Sequence, residues 1–252
     1  MNDTTRLVGV SLGLMILAAC GGQASATGEL GRLDYTLAAD FIPSDATLTE
    51  NRIVTGYEQV FSVGTLERAT RDFDGLYDVQ HRFDPPGGVT LLTDPGEPTS
   101  DDEDEEVPNF RVTVTDPGVY TLFSELDGDV VDRLTLEFAT PTEVELIARR
   151  RFPSEERFSD VVPGQAVPFG TQVSVLPIPS DAGERLMGDI RVTMSGTPED
   201  AILQDVSVLS HVEQAVYTRA TNTVYLVEVG KVALDVTEPV SGAAETLDFI
   251  VE

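Results

Sequence analysis

The chain has 252 residues, with 44 acidic against 16 basic side chains, a formal net charge of −28, one cysteine and no tryptophan. Charge of that size and sign repels polyanions, which argues against nucleic acid as a partner and against docking on anionic lipid through a basic surface. A single cysteine closes no intramolecular disulfide, so an apolar core has to hold the fold.

In chain order, Met1–Arg6 is a short polar head, Leu7–Ala19 is a mostly apolar run, and Cys20 ends it. Crossing a bilayer takes roughly 20 residues at ~1.5 Å each, so the run is too short for an ordinary transmembrane helix and fits the apolar region of a secretory signal. Leu17-Ala18-Ala19-Cys20 resembles the lipobox of bacterial lipoproteins at every position. The resemblance implies a signal peptide over 1–19, cut before Cys20, with the cysteine thiol and the new amine carrying acyl chains such as palmitate. An ordinary cleaved signal, or a buried helix, would leave this lone thiol without a role. Residue 21 is Gly rather than Asp, which by resemblance to enterobacterial sorting favours the outer membrane over the inner one. Residues 20–28 are small and polar without periodicity, and composition predicts a flexible lipidated tether.

Beyond the tether a period of two dominates. Phe110–Thr115, Val119–Phe123, Arg133–Phe138, Thr171–Leu176, Ile190–Met194 and Lys231–Thr237 all alternate apolar with polar residues. Gly, Pro, Asp and Ser clusters separate them, among them Asp84–Gly88, Asp94–Pro98, Asp127–Asp129 and Pro177–Gly183. This spacing predicts an all-β chain of antiparallel sandwiches. Glu199–Leu209 comes nearest to a helix, but its Val-Ser-Val-Leu end favours a strand. Gly118-Val-Tyr-Thr-Leu122, followed by a turn and Leu134–Phe138, is matched by Gly230-Lys-Val-Ala-Leu234, a turn and Thr246–Ile250. A hairpin recurring once per half predicts two tandem modules, 29–139 and 142–252, with the boundary between Ala139 and Val144 and each half able to fold alone.

Asp116-Pro-Gly118-Val-Tyr120-Thr-Leu122 resembles the tyrosine corner of immunoglobulin-like folds, with Leu122 where antibody domains place a cysteine. Phe83–Phe138 resembles the C-terminal part of bacterial PKD-type domains. Val173–Val251, through residues 175–195 and the Gly230 corner, resembles bacterial Ig-like modules of the BIG2 type. These resemblances imply two tandem Ig-like antiparallel β-sandwiches, and a Tyr120 hydroxyl bonded to upstream backbone.

Candidate chemistry is sparse. His81 and His211 stand in strand-like stretches and read as ordinary strand residues. Neither lies near a Ser in a Gly-x-Ser-x-Gly elbow, no His/Cys/Asp spacing suggests zinc, and no Gly-rich loop opens a helix to hold phosphate. The run Asp101-Asp102-Glu103-Asp104-Glu105-Glu106 reads as a solvated loop kept extended by self-repulsion. Its sharper alternative is a calcium site on Asp101, Asp102 and Asp104, although it lacks the Asp-x-Asp-x-Asp-Gly turn that aims such ligands. Asp72-Phe-Asp74-Gly and Asp127-Gly-Asp129 are fragments of that turn. Arg149-Arg150-Arg151 is the one basic cluster, expected to meet local acids such as Glu155 and Glu156, or else the acidic run of the first module.

The sequence therefore predicts a non-enzymatic, lipid-anchored envelope protein, partnered by the membrane through Cys20 and by an envelope or extracellular protein through its modules. No cofactor is expected. The rival reading is a calcium-dependent or carbohydrate-binding envelope protein, or an enzyme with a carboxylate site built from loops, which converging carboxylates in a concave pocket would favour.

Overall fold

A computed structural model of the chain describes residues 22–65, 78–94, 109–162, 164–204 and 222–252. Among these, strands dominate and no helix is long and apolar enough to cross a membrane. The first module contains β1 (Gly22–Thr27), β2 (Leu33–Ala39), β3 (Ile53–Val54), β4 (Glu58–Thr65), β5 (Gln80–Asp84), β6 (Val89–Asp94), β7 (Asn109–Val114), β8 (Gly118–Leu126) and β9 (Asp129–Ala139). Two sheets result, ordered β1-β2-β4-β7-β6 and β3-β9-β8-β5.

Alternation drives this arrangement, since successive strand residues point to opposite faces. In β8, Tyr120, Leu122 and Ser124 are buried while Val119 is exposed, and in β9 Leu134, Leu136 and Phe138 turn inward between exposed neighbours. Together with Leu33, Tyr35, Leu37, Phe61, Phe110 and Val112 they form one core, in which Phe61 stacks on Phe110 with centroids 5.2 Å apart. After β1 the chain changes sheets: β2 lies antiparallel to β4, and after residues 40–52 β3 lies parallel to β9. That crossing, with the Greek-key order of the remaining strands, is the immunoglobulin pattern.

The second module comprises β10 (Glu143–Arg151), β11 (Ser159–Asp160), β12 (Ala166–Val167), β13 (Gln172–Asp181), β14 (Glu184–Arg185), β15 (Thr193–Thr197), β16 (Ile202–Gln204), β17 (Thr223–Leu226), β18 (Gly230–Thr237) and β19 (Ala244–Val251). It repeats the topology except at one edge, where β11 follows β10 in the chain while β1 precedes β2, with sheets β11-β10-β13-β17-β16 and β12-β19-β18-β15, β14 folding back on β13. Here β10 is antiparallel to β13 and β12 is parallel to β19, as β2 and β3 are to β4 and β9. Details repeat as well. The Gly56 amide donates to the Val114 carbonyl at 2.8 Å, and the Gly170 amide to the Leu226 carbonyl at 2.8 Å. The chain is thus all-β, two Ig-like antiparallel sandwiches in tandem, and the hairpins at Gly118 and Gly230 occupy equivalent places.

Two sequence expectations need correction. Residues 22–27 form no tether: β1 pairs with β2 over its whole length, from Gly22 opposite Ala39 to Thr27 opposite Asp34. The cause is an alternation in small residues that composition hides. Ala24 is 1% exposed and Ala26 packs on the core, while Ser25 and Thr27 bond Thr36 and Asp34 at 2.9 and 2.7 Å. Second, the alternating stretch Ile190–Met194 enters a ladder only from Thr193. Before that, the Asn222 side chain binds the backbone, accepting from the Val192 amide at 3.0 Å and donating to the Ile190 carbonyl at 2.9 Å. The stretch that begins at Glu199 is strand rather than α-helix where it is described, a 3-10 turn over Glu199–Ala201 leading into Ile202–Gln204. Its remainder to Leu209 lies outside the described residues.

The chain crosses from β9 to β10 over Thr140, Pro141 and Thr142. The cores do not divide at that point, because Met187, from the second half of the sequence, is fully buried in the core of the first module.

Candidate functional site

Among the described residues, buried polar groups from both halves come together where the modules meet. Between β14 and β15 the second module sends out Leu186, Met187, Gly188, Asp189 and Ile190. This segment joins β3 through an isolated parallel bridge between Ile53 and Met187, with the Val54 amide donating to the Met187 carbonyl at 2.9 Å and the Met187 amide to the Arg52 carbonyl at 2.9 Å. One residue on, the Gly188 amide donates to the Phe41 carbonyl at 3.0 Å. Gly188 is required by space and by conformation. Its φ is +135°, and a Cβ there would stand 2.7 Å from both the Gln59 Oε1 and the Val54 Cγ1.

Side chains close the rest. Gln59, fully buried, accepts from the Asp189 amide at 2.8 Å and donates to the Asp189 carbonyl at 3.2 Å, as a strand partner would. The Asp40 amide donates to the Asp189 carboxylate at 2.6 Å. Arg52 reaches Asp181 at 2.7 Å and Glu184 at 2.9 Å. Beneath them Val54, Tyr57 and Ala139 pack on Leu186 and Ile190.

On the other side the turn after β18 presents Glu238, a carboxylate with no exposed surface. It accepts from the Val240 amide at 2.7 Å, the Ser241 amide at 2.6 Å, the Ser241 hydroxyl and the Tyr57 hydroxyl of the first module. An isolated buried carboxylate is expensive, and four donors on its two oxygens compensate that cost. The arrangement consumes polar groups to fix one module against the other.

Of the residues that the sequence singles out, Asp116, Gly118 and Tyr120 stand together at the start of β8. The Tyr120 hydroxyl donates to the Asp116 carbonyl at 2.9 Å, and its ring, 3% exposed, meets Phe138 edge-on at 5.7 Å. His81 lies 4.5 Å from the Phe110 ring, and its Nδ1 is 3.0 Å from the Ser124 hydroxyl, which is itself 2.7 Å from the Tyr35 hydroxyl. Burial lowers the His81 pKa to about 4 and raises that of Tyr35. Ser124 is 0% exposed and His81 half-buried, so the contact forms part of the sandwich packing. Asp127 and Gly128 take φ of +54° and +87°, the hairpin turn between β8 and β9 that an Asp-Gly pair favours.

Arg149 to Arg151 end β10 at the far end of the second module, Arg151 opposite Gln172. Arg150 meets Glu155 at 3.5 Å and lies 3.8 Å over the Phe152 ring, Arg149 is 3.9 Å from Asp160, and Arg151 faces Phe158. Local acids and aromatic rings therefore meet these arginines.

Cys20 with Leu17, Ala18 and Ala19, the run holding Asp101, Asp102 and Asp104, Asp72, Asp74 and His211 all lie outside the described residues. Among the described residues no three His, Cys, Asp or Glu side chains converge as a metal would need. A groove of about 490 Å³ crosses the outer face of β18 and β19, lined by Gly164, Thr197, Lys231, Asp248 and Ile250 among others, with Asp248 its one carboxylate.

Sequence reasoning missed the junction. Its one signal was Leu186-Met187, two apolar residues inside the turn-rich stretch Gly183–Gly188, where a solvated loop would be polar.

No family model matches the chain, and no curated protein matches it. Among solved structures it is similar to FdeC, an Escherichia coli adhesin, at 10% identity and a TM-score of 0.28, over 88% of this chain and 74% of that one. It is also similar to domains 5–6 of the S-layer protein SbsC, at 14% identity and a TM-score of 0.28, over 91% and 99%. A third is a C-terminal 282-residue fragment of intimin in complex with the intimin-binding domain of its translocated receptor, at 13% and 0.26, over 81% and 64%. Overlaps this slight carry no argument about function, and the Ig-like assignment rests on the strand order and register above.

Proposed function

We propose that this chain is a lipid-anchored protein of the bacterial cell envelope, held in the outer membrane by acyl chains on Cys20. Its two sandwiches serve as a rigid, non-catalytic scaffold that presents loops and sheet edges to another envelope or extracellular protein. The observation that carries this reading is the junction. A carboxylate, an amide side chain and a backbone bridge are all spent on fixing the modules, which suits a part whose work is to hold surfaces at a set geometry. The lipobox at Leu17–Cys20 supplies the address.

The test is metabolic labelling of the full chain with an alkyne palmitate analogue in a bacterial host, followed by detergent phase separation. Wild type should take label and enter the detergent phase, while Cys20→Ser should take none and remain aqueous or uncleaved. An unlabelled wild type in the aqueous phase contradicts the anchor.

A further inference from the structure

The position of β1 says where such an anchor leaves the fold. β1 is an edge strand that runs away from the junction. Its first residue, Gly22, pairs with Ala39, and a Cβ on it would stand 2.6 Å from the Ile42 side chain. Ile42 follows Phe41, whose carbonyl accepts from Gly188 of the second module and whose ring faces the Arg185 guanidinium at 5.8 Å. Gly22 therefore emerges at the waist of the molecule, where the two sandwiches join, rather than at either tip.

Only Gly21 separates Cys20 from this strand. Fully extended, two residues span about 7 Å. The tips are much farther away: the eleven residues of β9 alone, from the Asp127 turn to the junction, extend roughly 35 Å. A lipid on Cys20 cannot reach a membrane at a tip without pulling β1 out of its sheet.

We infer that the surface beside Gly22, formed by the Phe41–Asp45 turn at the module junction, rests on the lipid headgroups, so that both sandwiches lie along the membrane rather than standing out from it. The inference rests on acylation of Cys20. Its occupant is a zwitterionic headgroup surface, because Asp45 is exposed there and the net charge of −28 disfavours anionic lipid.

The experiment places single dyes on the full, lipidated chain at three exposed sites, through Ser44→Cys at the waist, Asp127→Cys at one tip and Val229→Cys at the other. Each protein is reconstituted on phosphatidylcholine vesicles carrying a headgroup-labelled acceptor lipid. Quenching should be strongest at Ser44 and similar at the two tips. Insertion of twelve Gly-Ser residues between Gly21 and Gly22 should cut the Ser44 quenching at least twofold. A gradient running from one tip through Ser44 to the other overturns the inference while leaving the anchor intact, and so does a Ser44 signal indifferent to the insertion. Wild type that fails to float with the vesicles sinks the anchor, and the inference with it.

Discussion

At Tyr120 ring and hydroxyl make separable contributions, because the ring is buried against Phe138 while the hydroxyl bonds a carbonyl at the partly buried edge of the core. Water can reach that carbonyl once the hydroxyl is gone, so Tyr120→Phe should cost about 1 kcal/mol, the low end for a lost hydrogen bond. Tyr120→Ala removes the ring too and should cost ~3–5 kcal/mol. Urea unfolding of residues 22–252 measures both, and a Phe variant identical to wild type would mean that the hydroxyl makes no net contribution. His81 tests burial through pH. Its folded pKa, about 4, lies below the ordinary 6.5, because burial disfavours the imidazolium. The stability it contributes is complete above about pH 6.5 and is lost as pH falls through the window toward 4, where the unfolded state binds the proton first. Replacing it by Gln should flatten the fall of the urea midpoint between pH 6.5 and 4 relative to wild type, the carboxylate background being common to both. Parallel slopes in the two proteins would show that His81 is not held neutral.

Among the elements, those that alternate large apolar with polar residues were legible in the sequence, because each such strand has one face in a core. Phe110-Arg-Val-Thr-Val in β7 and Lys231-Val-Ala-Leu-Asp-Val in β18 are of this kind. β1 was not, since Gly-Gln-Ala-Ser-Ala-Thr alternates in residues too small to register as apolar, and Gly and Ser read as linker. The corner at Tyr120 was readable because it is local, four residues from hydroxyl to carbonyl. The junction was not, because Tyr57 and Glu238 are 181 residues apart and neither is unusual in its own segment. The strand assignment has its own test. Ala24→Asp places a charge where 1% of the residue is exposed, and should destabilise the protein by several kcal/mol or strip β1 from the sheet. Gln23→Asp, on the exposed face of the same strand, should stay within ~0.5 kcal/mol. Two equally silent substitutions would restore the tether.

For the whole molecule the decisive feature is that the cores are not partitioned as the chain is. Sequence periodicity points to halves that fold alone, yet a fragment 28–139 lacks both β1 and Met187, the one a sheet edge and the other part of the core. Magnitudes rank what couples the modules. The Arg52–Glu184 pair is exposed on the glutamate side and contributes ~0–1 kcal/mol. Truncating a buried Met to Ala costs ~2–5 kcal/mol. Met187→Ala in residues 22–252, followed by hydrogen exchange, therefore tests the shared core most directly. Amides of β2, β3 and β9 in the first module should lose at least about tenfold in protection, although the substitution lies in the second half of the sequence. Loss of protection confined to residues 166–251, with the first module unchanged, would contradict it.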